Sequence, residues 1–479
     1  MNNRPLIKLF KTCGKKYMYD TNKNSILNIS DEQYNFLKNC IESNVNDYIE
    51  AEETNKLYKE GFLSSNRVKE IVHPEDEFLL FHLENNVKML TLQVTQQCNF
   101  RCEYCIFSGG YLNRSHSNKK MSISMALKGI DFLINHSKNH NKIIISFYGG
   151  EPLLEFNFIK QCIEYAEKEA EGKKVLFSMT TNGSLLTDEI VEFLYKHDVT
   201  LTISLDGPKE IHDVHRKFAS NNHGSFDKVI NNIINIEKKF PDYIKKLHFN
   251  AVIDTKNSFS CIDKFFLNYE RVKDIPLTSG VISYKYKKTN TEMYDEDYYL
   301  KRNYEFFRIL YSIIRKKDTA NCSRIVMPEY EYLLQFSQSL TPKKMLPEKT
   351  HPTGPCIPGV QRLFMNADGF FFPCEKVSES SKVGKLGHID TGFDIDQVRK
   401  ILNIGKVNGE ACKNCWAIRF CSICVALLDS TEEEISQEQK EEFCKRVKAN
   451  VEEKFKNYCV LKEFGHSFEE NEPIALFND

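Results

Sequence analysis

TQQCNFRCEYCIFSGG (95–110) places three thiols, Cys98, Cys102 and Cys105, within eight residues. Their spacing is C-x3-C-x2-C, and the next cysteine in the chain is Cys162. Structural zinc and most iron–sulfur clusters take four protein ligands, so three leave one metal position open. The segments on either side of this loop decide the fold.

VKMLTLQV runs into the loop, and beyond it lie IIISFY, KVLFSMTT, VTLTISL, LHFNAVI and LTSGVIS, all β-rich. Between them SISMALKGIDFLINHSK, NFIKQCIEYAEKEA, TDEIVEFLYKH and SFDKVINNIINIEKK carry the apolar spacing of helices. This alternation predicts an α/β domain over 85–285, a partial (β/α)6 TIM-like barrel of parallel strands and crossover helices. Chemistry in such folds gathers beyond the C-terminal ends of the strands. The thiol loop follows the first strand, GGEP (149–152) the second, TNG (181–183) the third and SLDG (204–207) the fourth. All four should face one mouth.

Residues 1–84 read as a separate unit. PLIKLFKT, KKYMYD and SILNIS alternate as short strands, and SDEQYNFLKNCIES begins a helix at an N-cap serine. NDYIEAEETNKLYKEGF predicts a second helix stopped by Gly61. The pattern suggests a winged-helix-like module. It carries 11 Lys and Arg against 14 Asp and Glu, which is wrong for phosphate binding. Peptide recognition by strand addition at a sheet edge fits better.

Residues 286–349 read as a polar helical bridge, and 350–479 as a cysteine-rich domain. Of the sixteen cysteines, eight fall in this last part, and all but the scattered Cys459 form a field: Cys356, Cys374, Cys412, Cys415, Cys421, Cys424 and Cys444. Seven thiols suffice for one four-ligand and one three-ligand cluster. Cys412-x2-Cys415-x5-Cys421-x2-Cys424 also permits zinc, although its central gap is shorter than in the usual ribbon. The remaining cysteines are scattered and read as ordinary thiols. A length of 479 residues implies about two to four domains. A net charge of −1 gives no global reason to expect nucleic acid or an anionic membrane. The chain shows neither a membrane-spanning apolar run nor a secretory leader, so a cytoplasmic location is expected.

CNFRCEYC resembles the signature of the radical S-adenosylmethionine superfamily. The resemblance implies a [4Fe–4S] cluster on Cys98, Cys102 and Cys105 and S-adenosylmethionine chelated at the open iron. It further implies that Tyr104 packs on adenine, that Gly149 and Gly150 let backbone approach the methionine moiety, and that Glu151 takes its ammonium. Thr181, Asn182, Ser204 and Asp206 would contact the ligand's polar groups, Arg216 its carboxylate, and Val252 or Ile253 its adenine. The C-terminal cysteines, with Gly369 between Cys356 and Cys374, resemble the SPASM extension and its two auxiliary [4Fe–4S] clusters. Cys412, Cys415, Cys421 and Cys444 would hold the outer cluster; Cys356, Cys374 and Cys424 the inner, with Cys322, Cys459 or an open position completing it. Here two residues separate Cys421 from Cys424, where the family pattern has three. Glu375 is a candidate base.

Recognition module, barrel and SPASM field in this order resemble thioether-forming peptide maturases. These imply a cysteine-rich precursor peptide with a leader, an electron donor such as flavodoxin or ferredoxin, and neither nucleic acid nor membrane as partner. Two alternatives are kept: formylglycine formation of the sulfatase-maturase type, and a non-enzymatic, zinc-stapled binding protein.

Overall fold

The computed structural model describes residues 4–43, 52–108, 110–112, 116–170, 172–284, 287–288, 295–352, 356–428 and 434–468. Strands β1 (Ile7–Lys11), β2 (Lys16–Asp20) and β3 (Ser25–Ile29) form an antiparallel sheet in sequence order. Helices Asp31–Ser43 and Glu52–Lys59 follow, and the chain turns at Gly61 with φ +84°. The expected start of the second helix, before residue 52, lies outside the described residues.

β4 (Glu70–Ile71) leads through a short helix, Leu79–Asn85, into the barrel. Strands β5 (Met89–Thr95), β6 (Lys142–Gly149), β7 (Lys174–Thr181), β8 (Thr200–Ser204), β9 (Leu247–Ile253) and β10 (Leu277–Val281) pair in parallel, each beside the next. Helices Ile123–Asn135, Phe156–Glu169, Asp188–Lys196, Phe226–Lys239 and Phe259–Asn268 cross over between them. The expected partial barrel is therefore present. Ser122 and Thr187 cap two of these helices by accepting from Met125 N and Ile190 N. Burial alternates along β9: Phe249, Ala251 and Ile253 are buried, while His248, Asn250 and Val252 are half-buried. The buried set faces the helices, and the half-buried set faces the open barrel.

The sheet does not stop at the barrel. β11 (Lys349–Thr350) pairs with β4, and β12 (Leu363–Met365) pairs in parallel with β5. β13 (Phe370–Phe372), β14 (Gly387–His388) and β15 (Gly392–Phe393) then extend the sheet to ten strands. Two polar helices, Glu296–Ile314 and Met327–Ser339, bridge the two parts. A long C-terminal helix, Gln437–Glu463, closes the fold. Among the described residues no helix is long and apolar enough to cross a membrane.

The last helix joins the first sheet to the cysteine-rich part. The fully buried Phe455 ring lies 5.5 Å from Phe10, 4.6 Å from Tyr19, 5.6 Å from Phe336 and 5.8 Å from Trp416. Around this aromatic cluster Arg419 Nε donates to Thr21 O (2.8 Å), Thr21 Oγ1 donates to Trp416 O (3.0 Å), and Lys8 pairs with Glu452 at 2.6 Å. Phe455→Ala should therefore cost about 3–5 kcal/mol, by lost burial and an unfilled cavity. Denaturant unfolding should show the first sheet and the C-terminal domain loosening together.

Candidate active site

Backbone packing fixes the thiol loop. Gly150 N donates to Thr95 O (2.7 Å) and Glu151 N to Gln97 O (2.8 Å), so GGEP lies directly against the loop's entry. A Cβ on Gly149 would sit 2.1 Å from Thr95 O, and one on Gly150 would sit 1.9 Å from Gln97 O. Gly149 also holds φ +141°, a value L side chains rarely adopt. The sequence reading gave these glycines to the approach of a bound methionine. In the fold, the backbone they approach is the chain's own.

Glu151 is fully buried and locked in place. Its carboxylate accepts from Thr181 Oγ1 (2.8 Å), Asn182 N (2.7 Å) and Leu153 N (3.1 Å). Burial pushes its pKa up to about 7 despite these donors. Asn182 Nδ2 donates to Asn99 Oδ1 (2.7 Å) and lies 3.9 Å from Cys98 Sγ. Asn99 Nδ2 in turn donates to Ser184 Oγ (2.9 Å). The second and third strand loops thus hold the thiol loop from one side.

The fourth holds it from the other. Asp206, 2 % exposed, accepts from Arg216 Nε (2.8 Å), from Val252 N (3.0 Å) and from the Tyr104 hydroxyl. The Arg216 guanidinium lies over the Tyr104 ring, 5.4 Å from its centroid. Asp206 is thus a structural hub for the thiol loop. Arg216 gives its Nε–H to Asp206, so any carboxylate must meet the outer edge of the guanidinium. Ser204, 9 % exposed, ends β8 beside this hub. Val252 belongs to the half-buried row facing the barrel, whereas Ile253 packs in the core; of the two, Val252 can line a ligand.

The thiols suit an iron–sulfur cluster. They are soft donors, and backbone amides point at them: Phe100 N donates to Cys98 Sγ (3.3 Å) and Phe107 N to Cys105 Sγ (3.4 Å). Burial pushes Cys98 and Cys102 up to about 12, and the nearby Cys105 adds to both shifts. Loading metal on these thiols must therefore expel protons.

The seven cysteines of the C-terminal field lie in two groups of neighbours. Cys356, Cys374 and Cys424 are mutual neighbours. Cys412, Cys415, Cys421 and Cys444 form the second set. Cys322 and Cys459 lie elsewhere: Cys322 packs by Ser312 Oγ (3.9 Å), and Cys459 beside Glu463. Among the described residues no three His, Cys, Asp or Glu side chains converge as closely as one metal ion needs. Glu375 forms an ion pair with Arg362 at 3.3 Å, next to Cys374.

Sequence reasoning missed two features of the mouth. His215 Nε2 lies 3.1 Å from Asp254, and their pairing holds Asp254 down at about 2 and raises the histidine. Tyr284 donates to the same carboxylate (3.2 Å). Glu379 accepts from Gln93 (2.6 Å) and from Gln96 (3.0 Å), two residues before Cys98. Neither carries a motif. HDVHR (212–216), four residues beyond SLDG, was the available hint for His215.

Glu151→Gln should weaken S-adenosylmethionine binding roughly ten- to a hundredfold, as expected for loss of a charge-assisted hydrogen bond. An ammonium favours the ionised carboxylate, so wild-type affinity should rise between about pH 6 and about pH 8, and the variant should be flat. Anaerobic equilibrium dialysis measures both.

Residues 92–258 match the Radical SAM superfamily. The radical SAM cyclopropyl synthase TigE of Paramaledivibacter caminithermalis is 24 % identical over 415 residues, covering 83 % of this chain and 80 % of that protein. The cysteine-type anaerobic sulfatase-maturating enzyme of Clostridium perfringens is 24 % identical over 349 residues, covering 70 % of this chain and 87 % of the relative. For three other curated relatives the match spans 45–48 % of their own length. Among solved structures, anSMEcpe with bound S-adenosylmethionine superposes with a TM-score of 0.55 at 22 % identity, over 76 % of this chain and 99 % of that one. The thiol loop and the motifs that brace it therefore belong to a radical SAM domain spanning residues 92–258, in a chain similar to an anaerobic sulfatase-maturating enzyme over 70 % of its length.

Proposed function

We propose that this enzyme joins a cysteine sulfur to a carbon of another residue within one ribosomally made, cysteine-rich precursor peptide. The observation that carries the reading is the three-thiol group Cys356, Cys374 and Cys424. A cluster held by three protein thiols has one position for a fourth, and a peptide cysteine is the matching ligand. Metal coordination would hold that sulfur as thiolate and aim it. On this reading Cys412, Cys415, Cys421 and Cys444 hold a second auxiliary [4Fe–4S] cluster.

S-adenosylmethionine on the Cys98–Cys102–Cys105 cluster supplies, when bound, a 5′-deoxyadenosyl radical. The protein's part is to hold and orient. Glu151 receives the ammonium, the Arg216 guanidinium's outer edge the carboxylate, and Val252 borders the adenine. Glu379 and the His215–Asp254 pair border the peptide's space, and either can take the thiol proton. Per cross-link the peptide loses two hydrogens: one as an atom from carbon, one as the sulfur's proton. One electron leaves with them to an oxidised acceptor. Glu379 is five residues from Cys374, so the inner group lies within about 18 Å of the mouth-lining glutamate along the chain. Starting the cycle needs an external donor, such as flavodoxin or ferredoxin.

The N-terminal sheet suits leader recognition. Lys8 on β1 is engaged by the C-terminal helix, so β3 is the edge left for strand addition. The module's net charge of −3 favours a basic leader.

Two relatives favour other products. The sulfatase-maturase homology supports formylglycine, and the TigE match supports carbon–carbon ring closure. Anaerobic incubation with S-adenosylmethionine, reductant and the cysteine-rich peptide encoded nearest the gene separates all three by mass spectrometry. Loss of two hydrogens with one thiol per bridge protected from alkylation is the expected result. The same loss with every thiol still reactive would establish ring closure instead. Loss of sulfur would establish formylglycine. A colourless, zinc-containing protein would overturn the radical reading of the C-terminal thiols.

A further inference from the structure

The C-terminal helix begins at Ser436, whose side chain accepts from Gln439 N. One residue on, Lys440 turns inward and is 1 % exposed, among the largest fully buried side chains described. Its ammonium has three donors, and all are spent. One goes to Gly405 O at 2.8 Å, one to Val407 O and one to Cys412 Sγ at 3.4 Å. Gly405 is itself fixed, donating its N–H to His351 Nε2 at 2.9 Å.

A buried ammonium needs an anion, because desolvating an unpaired charge costs several kcal/mol in practice, as an order of magnitude. Among the described residues no carboxylate forms an ion pair with Lys440. Its two carbonyl partners are neutral. The remaining partner is a sulfur of the four-thiol group. Cys444, another member, sits one helical turn further along the same face, and Lys448 one turn beyond that. Both lysines bear on Cys444 in the direction that favours its thiolate, and Lys448 does the same for Cys415. The helix therefore presents lysine, cysteine, lysine at i, i+4 and i+8 to one cluster site.

We propose that Lys440 is a positioning and tuning residue for the outer group: its buried ammonium hydrogen-bonds the Cys412 sulfur and raises the reduction potential of a [4Fe–4S] cluster held there. The proposal rests on the assignment of the outer thiols to a cluster and is independent of the peptide product. A four-thiolate cluster becomes more negative on reduction, so a desolvated cation at a ligand sulfur stabilises the reduced state more than the oxidised one. The outer cluster then becomes a better electron sink than the same four thiols would make without the cation.

The test uses the full-length reconstituted enzyme and Lys440→Met and Lys440→Arg variants. Redox titration followed by electron paramagnetic resonance reads each cluster separately. In Lys440→Met one cluster's potential should move negative while the other two stay in place; in Lys440→Arg all three should stay near wild type. Unchanged potentials in Lys440→Met, at full iron content, would overturn the proposal. So would an equal shift in both variants, or loss of iron from both, since each would make Lys440 a steric staple of the 405–407 loop. If Lys440→Met alone loses its cluster, retention of iron and potential in Lys440→Arg supports the role of charge. Wild-type enzyme that reconstitutes without a third cluster would sink the outer-thiol assignment itself, and this inference with it.

Discussion

The site depends on a contact too close for any side chain. Gly149 and Gly150 press against the carbonyls of Thr95 and Gln97, with about 2 Å available where a Cβ would stand. This contact joins the end of β6 to the first residues of the thiol loop. Glu151, next in sequence, is then carried into the interior, where Thr181 and Asn182 meet it. Asn182 reaches Asn99, and Asp206 takes Tyr104 and Arg216 from the far side. Three strand ends thus brace one loop by short polar contacts in a buried setting, where each is stronger than in water.

Much of the barrel was legible in the sequence because its signals are local. Apolar alternation and helical period marked each strand and crossover, and KVLFSMTT and LHFNAVI coincide with β7 and β9 residue for residue. The four motifs could be placed at one mouth because parallel strands share a direction. The partners of each motif residue were not legible. Asp206 looks like a ligand contact in a linear string, yet it accepts from Tyr104, 102 residues away. Glu379, His215 and Lys440 have ordinary sequence surroundings, and only the packing of distant elements gives them neighbours. The continuation of the barrel sheet through β12 was hidden for the same reason, since LFM is three residues long.

The cysteine-rich part is likewise built by distant segments. Cys444 comes from the last helix, Cys356 from just before β12, and Cys412 from the helix Gly409–Lys413. Each thiol group therefore links segments that are far apart in sequence. Burial that raises the pKa of the free thiols keeps them protonated while the sites are empty, so metal loading there must expel protons.

The pairing of Phe10 with Phe455 has a consequence for how the chain is made. One face of the first sheet, with Phe10 and Tyr19, finds its apolar cover on the distant helix Gln437–Glu463. Contacts of such long sequence separation form late and slowly. During synthesis the N-terminal strands must wait, with Phe10, Tyr17 and Tyr19 uncovered, until the final helix leaves the ribosome. A truncated or stalled product would leave those rings exposed and present itself to proteases and chaperones as unfinished. Synthesis of the helix Gln437–Glu463 and closure of the module that is proposed to recognise the substrate are therefore coupled.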